Sequence, residues 1–190
     1  QNPIERIEIR NGMETLKIVR GFEESDLGER IRVVWSGAEY RGRGRETNWK
    51  GRVGFGGAQI QRMEKINAWN HERKLEQYNG DTVVFDAITT GNFGGFDAWL
   101  EKSDGATIDV STNLGVMTVP LSEIGMEDVT RDAGGLERKI RVFRLPEENP
   151  HRRITTELEI PLNGSGDNPL WVCVTTEDGF QAWSSPIYSF

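Results

Sequence analysis

Apolar residues along much of this chain recur at every second position, the period of a β-strand with one buried face. In "ERIEIRNG" Ile7 and Ile9 share a face, and Asn11-Gly12 follows as a hairpin signal. "ETLKIV" comes next. "RIRVVW" sets Ile31, Val33 and Trp35 against Arg32 and Val34. "ATIDVST" sets Ile108 and Val110 against Thr107, Asp109 and Ser111, and "TELEIPL" sets Leu158, Ile160 and Leu162 against Glu157 and Glu159. "TVVFDAIT" is a continuous apolar run of the kind a fully buried strand carries. "KIRVFRL" and "LWVCVTT" follow, and the turn "TEDGF" leads into a last strand around "QAWSSPIYSF".

Runs at this spacing predict an all-β fold: a β-sandwich of about ten mostly antiparallel strands, with little helix, in a single domain over residues 1–190. The 22 glycines and 7 prolines supply its turns. "LSEIGMEDVTRDAGG" admits one helical turn ended by Gly134-Gly135, and "NAWNHERKLEQYNG" reads as a charged, solvated loop.

One stretch breaks the alternation of apolar and polar. In "AEYRGRGRETNWKG", Arg41, Arg43 and Arg45 stand two residues apart, so a strand here would set three guanidiniums in a row on one face. An unbroken strand from Ile31 would aim them at the side that takes Trp35, which a core rejects unless carboxylates match them. Ser36-Gly37-Ala38 is therefore expected to form a bulge or turn that resets the face. The favoured reading of the row is a cross-strand ladder onto acids of a neighbouring strand. The alternative is a site for an anionic ligand, since guanidinium forks match phosphate and carboxylate.

Charge narrows the choice. With 23 Lys+Arg against 30 Asp+Glu the formal charge is −7, the wrong sign for a protein whose task is to wrap nucleic acid. No apolar run is long enough for a transmembrane helix, so neither nucleic acid nor membrane is expected as a partner. The opening at Gln1, in strand-like sequence, leads us to expect a piece cut from a longer protein.

Catalytic chemistry finds little to work with. His71 and His151 lie among charges and loop formers, with no metal-ligand partner at i+2 to i+4. Cys173 alternates with valines and reads as a buried thiol. "NGSGDNP" (163–169) offers oxygen ligands without the spaced acids of a calcium loop. Glu177-Asp178-Gly179 and Asp104-Gly105 serve turn geometry. No catalytic residue, metal ligand or cofactor is assigned to this chain, and it is expected not to be an enzyme. Of the six tryptophans, Trp35, Trp99 and Trp171 lie in strand-like runs and read as core. Trp49 and Trp69 lie in turn-rich or charged stretches and are the candidates for exposure. A carbohydrate- or small-anion-binding module would use these two with Arg41, Arg43 and Arg45.

The segments "IRVVWSGAEYRGRGRETNWKG", "AITTGNFGGFDAWL", "AGGLERKIRVFRLP" and above all "NPLWVCVTTEDGFQAWSSPIY" resemble the C-terminal part of a bacterial family of PHP-like (polymerase and histidinol phosphatase) metal-dependent phosphoesterases of uncharacterised function. The resemblance spans about residue 4 to residue 190. It implies an accessory C-terminal domain that packs on, or shapes, an upstream catalytic domain of the same polypeptide, where a divalent metal would sit. The family's catalytic histidines and acids belong to that upstream domain, so none carries over to a position here. Trp183, Ser184 and Ser185, in the most specific matching segment, are the interdomain-contact candidates; a homo-oligomer is the other partner left open.

Overall fold

The first hairpin follows from its turn. Strand β1 (Ile4–Asn11) runs into β2 (Glu14–Val19), and Asn11 pairs with Glu14 across Gly12-Met13. Gly12 sits at φ 57°, a conformation that side chains disfavour. The computed structural model describes residues 2–101, 105–164 and 166–189. It carries fifteen strands in three sheets, all paired antiparallel, and its only helical segments are 3-10 turns at Glu24–Asp26 and Leu121–Glu123 among the described residues. The all-β expectation holds.

The chain forms two compact units, Glu24–Glu147 and Gln1–Glu23 with Glu148–Phe190. The first is the sandwich. Its ten strands are β3 (Arg30–Ala38), β4 (Thr47–Gly56), β5 (Ile60–Ile66), β6 (Leu75–Tyr78), β7 (Thr82–Thr89), β8 (Phe93–Leu100), β9 (Thr107–Thr112), β10 (Gly115–Pro120), β11 (Val129–Asp132) and β12 (Leu136–Leu145). One sheet has the order β11-β12-β3-β8-β5, the other β10-β9-β4-β7-β6. Alternation does what it predicts: Ile31, Val33 and Trp35 of β3 meet Val53 and Phe55 of β4, Val83 and Phe85 of β7 and Ile108 and Val110 of β9 in one core. Trp35 stacks flat on Phe85, with ring centroids 4.2 Å apart, tying one sheet to the other.

The second unit is a sheet of five strands. β13 (Asn168–Thr176) pairs with β1 on one side, and β2 lies beyond β1. On its other side β13 takes two short strands in succession, β14 (Gln181–Trp183) and β15 (Ile187–Ser189). A single sandwich over residues 1–190 is thus replaced by a sandwich confined to Glu24–Glu147 and a sheet made from the two ends. Strand spacing says nothing about which strands pair, and β1 finds its partner more than 150 residues away.

"TELEIPL" does not form a strand. Its alternation is real, but no ladder receives it, and Leu158 and Leu162 remain exposed. The helical turn expected in "LSEIGMEDVTRDAGG" is the 3-10 turn at Leu121–Glu123, and the later part forms β11. Asp104 and Ser165, named above in a turn and in a loop, lie outside the described residues.

Candidate functional site

Three connections cross from one sheet of the sandwich to the other at the same end. Residues 39–46 join β3 to β4, 67–74 join β5 to β6, and 90–92 join β7 to β8. Register places them together: Ser36 pairs with Phe93, Ile66 with Gly95, and Thr47 with Thr89. A cleft of about 240 Å³ opens among the second and third crossings. Its apolar lining includes Ile66, Leu75, Phe93 and Trp35. The Trp35 indole N–H is buried and has no hydrogen-bond partner among the described residues; a Cβ on Gly94 would lie 3.1 Å from it.

Trp69 stands on the rim of this cleft, 74 % exposed. Beside it Arg73 donates to Asp86 (Nη1 to Oδ1, 2.6 Å), and Lys50 Nζ lies 3.8 Å from Asp86 Oδ2. The walls are braced by side-chain bonds. Asn67, at φ 52°, donates to the Phe93 carbonyl at 3.1 Å. Asn92 Oδ1 accepts from the Thr90 amide at 2.8 Å, and Asn70 Oδ1 accepts from the Glu72 amide at 3.0 Å. The result is a small concavity with an apolar floor, an indole at its lip and an ion pair at its side, the usual make-up of a small-molecule site.

A relay of hydrogen bonds ties the end of β3, from which the first crossing leaves, to the third crossing, which lines the cleft. The Trp49 indole donates to Thr89 Oγ1 at 2.8 Å, and the Thr89 hydroxyl donates to the Gly37 carbonyl at 2.6 Å. The Gly91 amide donates to that same carbonyl, and the Gly37 amide donates to the Asn92 carbonyl. Gly37 adopts φ 96° where the β3–β12 register shifts; the extra residue lies in β12, between Leu136 and Lys139, while Ser36-Gly37-Ala38, where a bulge or turn was expected, stays within β3.

The site residues named from sequence separate here. Trp69 is exposed as expected. Trp49 is not: its side chain is wholly buried in the core, because Thr47-Asn48-Trp49 already belongs to β4 and alternation turns the indole inward. Arg41, Arg43 and Arg45 are exposed, but they lie in the crossing loop and not on a strand, with Gly42 at φ 109° and Gly44 at φ 73°. They form neither a row on one face nor a ladder; among the described residues none of the three has an ion-pair partner. The glycines that suggested a strand's reverse face instead curl the backbone. In the terminal sheet Trp183 is 62 % exposed. Ser184 and Ser185 are exposed too, but Ser184 Oγ accepts from the Val172 amide at 3.0 Å, so it serves the link between β14 and β15.

The buried guanidinium cluster foreseen for the arginine row exists elsewhere. Arg30 and Arg32 of β3 converge on Asp97 of β8, on the face of that sheet turned from the core. Burial pushes the Asp97 carboxyl up, but the charge and hydrogen bonds of Arg32, then those of Arg30, outweigh it and hold it below its ordinary value. Arg30 and Arg62 lie over the Trp99 ring, at 4.6 and 3.9 Å from its centroid. Sequence reading missed this group, and it missed Arg73, Asp86, Asn67 and Asn92 at the cleft. Asp86 sits within an apolar run and Arg73 in a charged one, so no local pattern joins them.

Among the described residues no group of three or more His, Cys, Asp or Glu is placed to hold a metal ion. No family model, curated protein or solved structure matches this chain.

Proposed function

We propose that this chain is a non-catalytic binding module that takes a saccharide ring in the cleft beneath Trp69. The observation that carries the reading is the pairing of an exposed indole with a braced concavity in which Arg73 and Asp86 stand ready to bond hydroxyls. A pyranose has an apolar face that stacks on an indole and a rim of hydroxyls that a charged pair can both donate to and accept from. Trp69 presents a largely exposed indole at the lip of a concavity, and that placement is what favours binding. The test is tryptophan quenching by acrylamide with and without neutral and acidic mono- and oligosaccharides. Shielding of the quenchable emission, lost in Trp69→Ala, is the expected result. No shielding by any sugar up to millimolar concentration overturns it.

A second reading concerns context: an accessory domain of a PHP-like hydrolase, docked on its catalytic domain. It is supported by the resemblance of the last segment and by Phe180, Trp183, Ile187 and Tyr188, all large, apolar and exposed around β14 and β15. The two readings are compatible, since the cleft and these side chains belong to different units. Both expect no turnover of p-nitrophenyl phosphate by this chain with zinc, manganese or magnesium; turnover that follows the pure protein overturns them.

A further inference from the structure

The loop 39–46 carries three guanidiniums that, among the described residues, the fold does not pair with an acid. Arg41, Arg43 and Arg45 are exposed and without an ion-pair partner among the described residues, in a chain whose formal charge is −7. Gly42 and Gly44 take positive φ angles, 109° and 73°, at alternate positions, which bends the backbone that carries the three arginines. The loop's two acids stand at its ends. Glu39 lies at the base, where its amide donates to the Arg45 carbonyl, and Glu46 Oε1 accepts from Asn48 at 3.4 Å. The tip between them holds only Tyr40, arginine and glycine.

The base of this loop is tied to the wall of the cleft. Gly37, two residues before it, exchanges hydrogen bonds with Gly91 and Asn92, and Asn92 lines the cleft. The basic tip is thus leashed by a few residues to the wall of the concavity that Trp69 borders. A guanidinium is more weakly hydrated than an ammonium, and its planar fork binds a carboxylate or sulfate through two parallel bonds.

We propose that the ligand of the cleft is an acidic saccharide, with its oxyanions held by Arg41, Arg43 and Arg45 while a ring rests on Trp69. This inference rests on the saccharide reading of the cleft. Carboxylate and sulfate share the recognising chemistry, and matched polymers separate them.

The experiment is affinity electrophoresis of the full chain through gels containing polygalacturonate or neutral galactan, and dextran sulfate or neutral dextran, at low and high salt, with oligo(dT) as a competing polyanion. Expected is retention by an acidic polymer over its neutral counterpart, weakened by salt. The variant R41A/R43A/R45A should lower that retention about tenfold, the equivalent of roughly one charge-assisted bond, and Trp69→Ala should abolish it. All four substitutions are at exposed side chains, so folding is not at stake. If neutral galactan or dextran is held as well as the acidic polymer and the triple variant behaves as wild type, the acidic assignment falls and the cleft reading stands. If Trp69→Ala changes nothing on any gel, the cleft reading falls and takes this inference with it. Retention outcompeted by oligo(dT) at equal phosphate and uronate charge overturns the saccharide assignment in favour of nucleic acid.

Discussion

Arg32 and Asp97 face each other across β3 and β8 and meet through two parallel hydrogen bonds, Nε to Oδ1 at 2.7 Å and Nη2 to Oδ2 at 2.8 Å, with both side chains about 2 % exposed. Arg30 shares the same carboxylate. Removing the acid leaves two guanidiniums buried against one another. Asp97→Asn is expected to cost about 3–5 kcal/mol, the range for breaking a buried pair, read as a lowered urea midpoint.

The same carboxylate gives an acid limb. Its folded pKa is depressed, so its contribution is fully present above the unfolded value, near 3.8, and is lost as pH falls from there through the folded value. Urea midpoints measured from pH 6 down to pH 3 should fall in the wild type and fall less steeply in Asp97→Asn. Parallel curves would show that other carboxylates carry the acid sensitivity.

Thr89 links the core indole of Trp49 to the backbone of β3, accepting from Trp49 and donating to Gly37. Thr89→Val keeps the shape and removes the hydroxyl. It strands the Trp49 indole N–H in the core, while the Gly37 carbonyl keeps its bond from Gly91. The expected loss is about 1–3 kcal/mol, with a shift in the emission of Trp49 as its N–H loses its acceptor.

Gly37 has no room for a side chain. It lies at φ 96°, and a Cβ there would sit 2.4 Å from backbone atoms of Glu137 and Arg138. Gly37→Ala should destabilise the sandwich by about 2–4 kcal/mol, combining backbone strain with overpacking. A thermal melt that matches wild type would mean that the start of β12 yields freely.

Cys173 should be inert while the chain is folded. Burial, then the nearby charge of Glu8, raise its thiol above the ordinary value, outweighing Thr175 and Arg10. It is buried on β13. Iodoacetamide at pH 8 should label it slowly in buffer and rapidly in concentrated urea; rapid labelling in buffer would show that the terminal sheet opens locally.

The sequence by itself marked strands such as β1, β3, β9 and β13 and the inward face of β3 and β9, but not β6 (Leu75–Tyr78), which forms inside the stretch read as a solvated loop. Alternation at Ile31-Val33-Trp35 and Ile108-Val110 is a local property, because a pleated strand turns successive side chains to opposite sides whatever it pairs with. Turn chemistry at Asn11-Gly12 and at Glu177-Asp178-Gly179 was equally local, as was the exposure of Trp69 in a charged loop. Tertiary structure alone decided the partners. It paired β1 with β13, left "TELEIPL" without a ladder, buried Trp49 and freed Arg41, Arg43 and Arg45 from any strand. It also made the site. Trp69 and Arg73 of the second crossing, Asp86 of β7 and Asn92 of the third crossing meet because these sheet-to-sheet crossings fall at one end of the sandwich. Pairing and crossing are set by the summed burial of whole faces, a quantity that no short window of sequence contains.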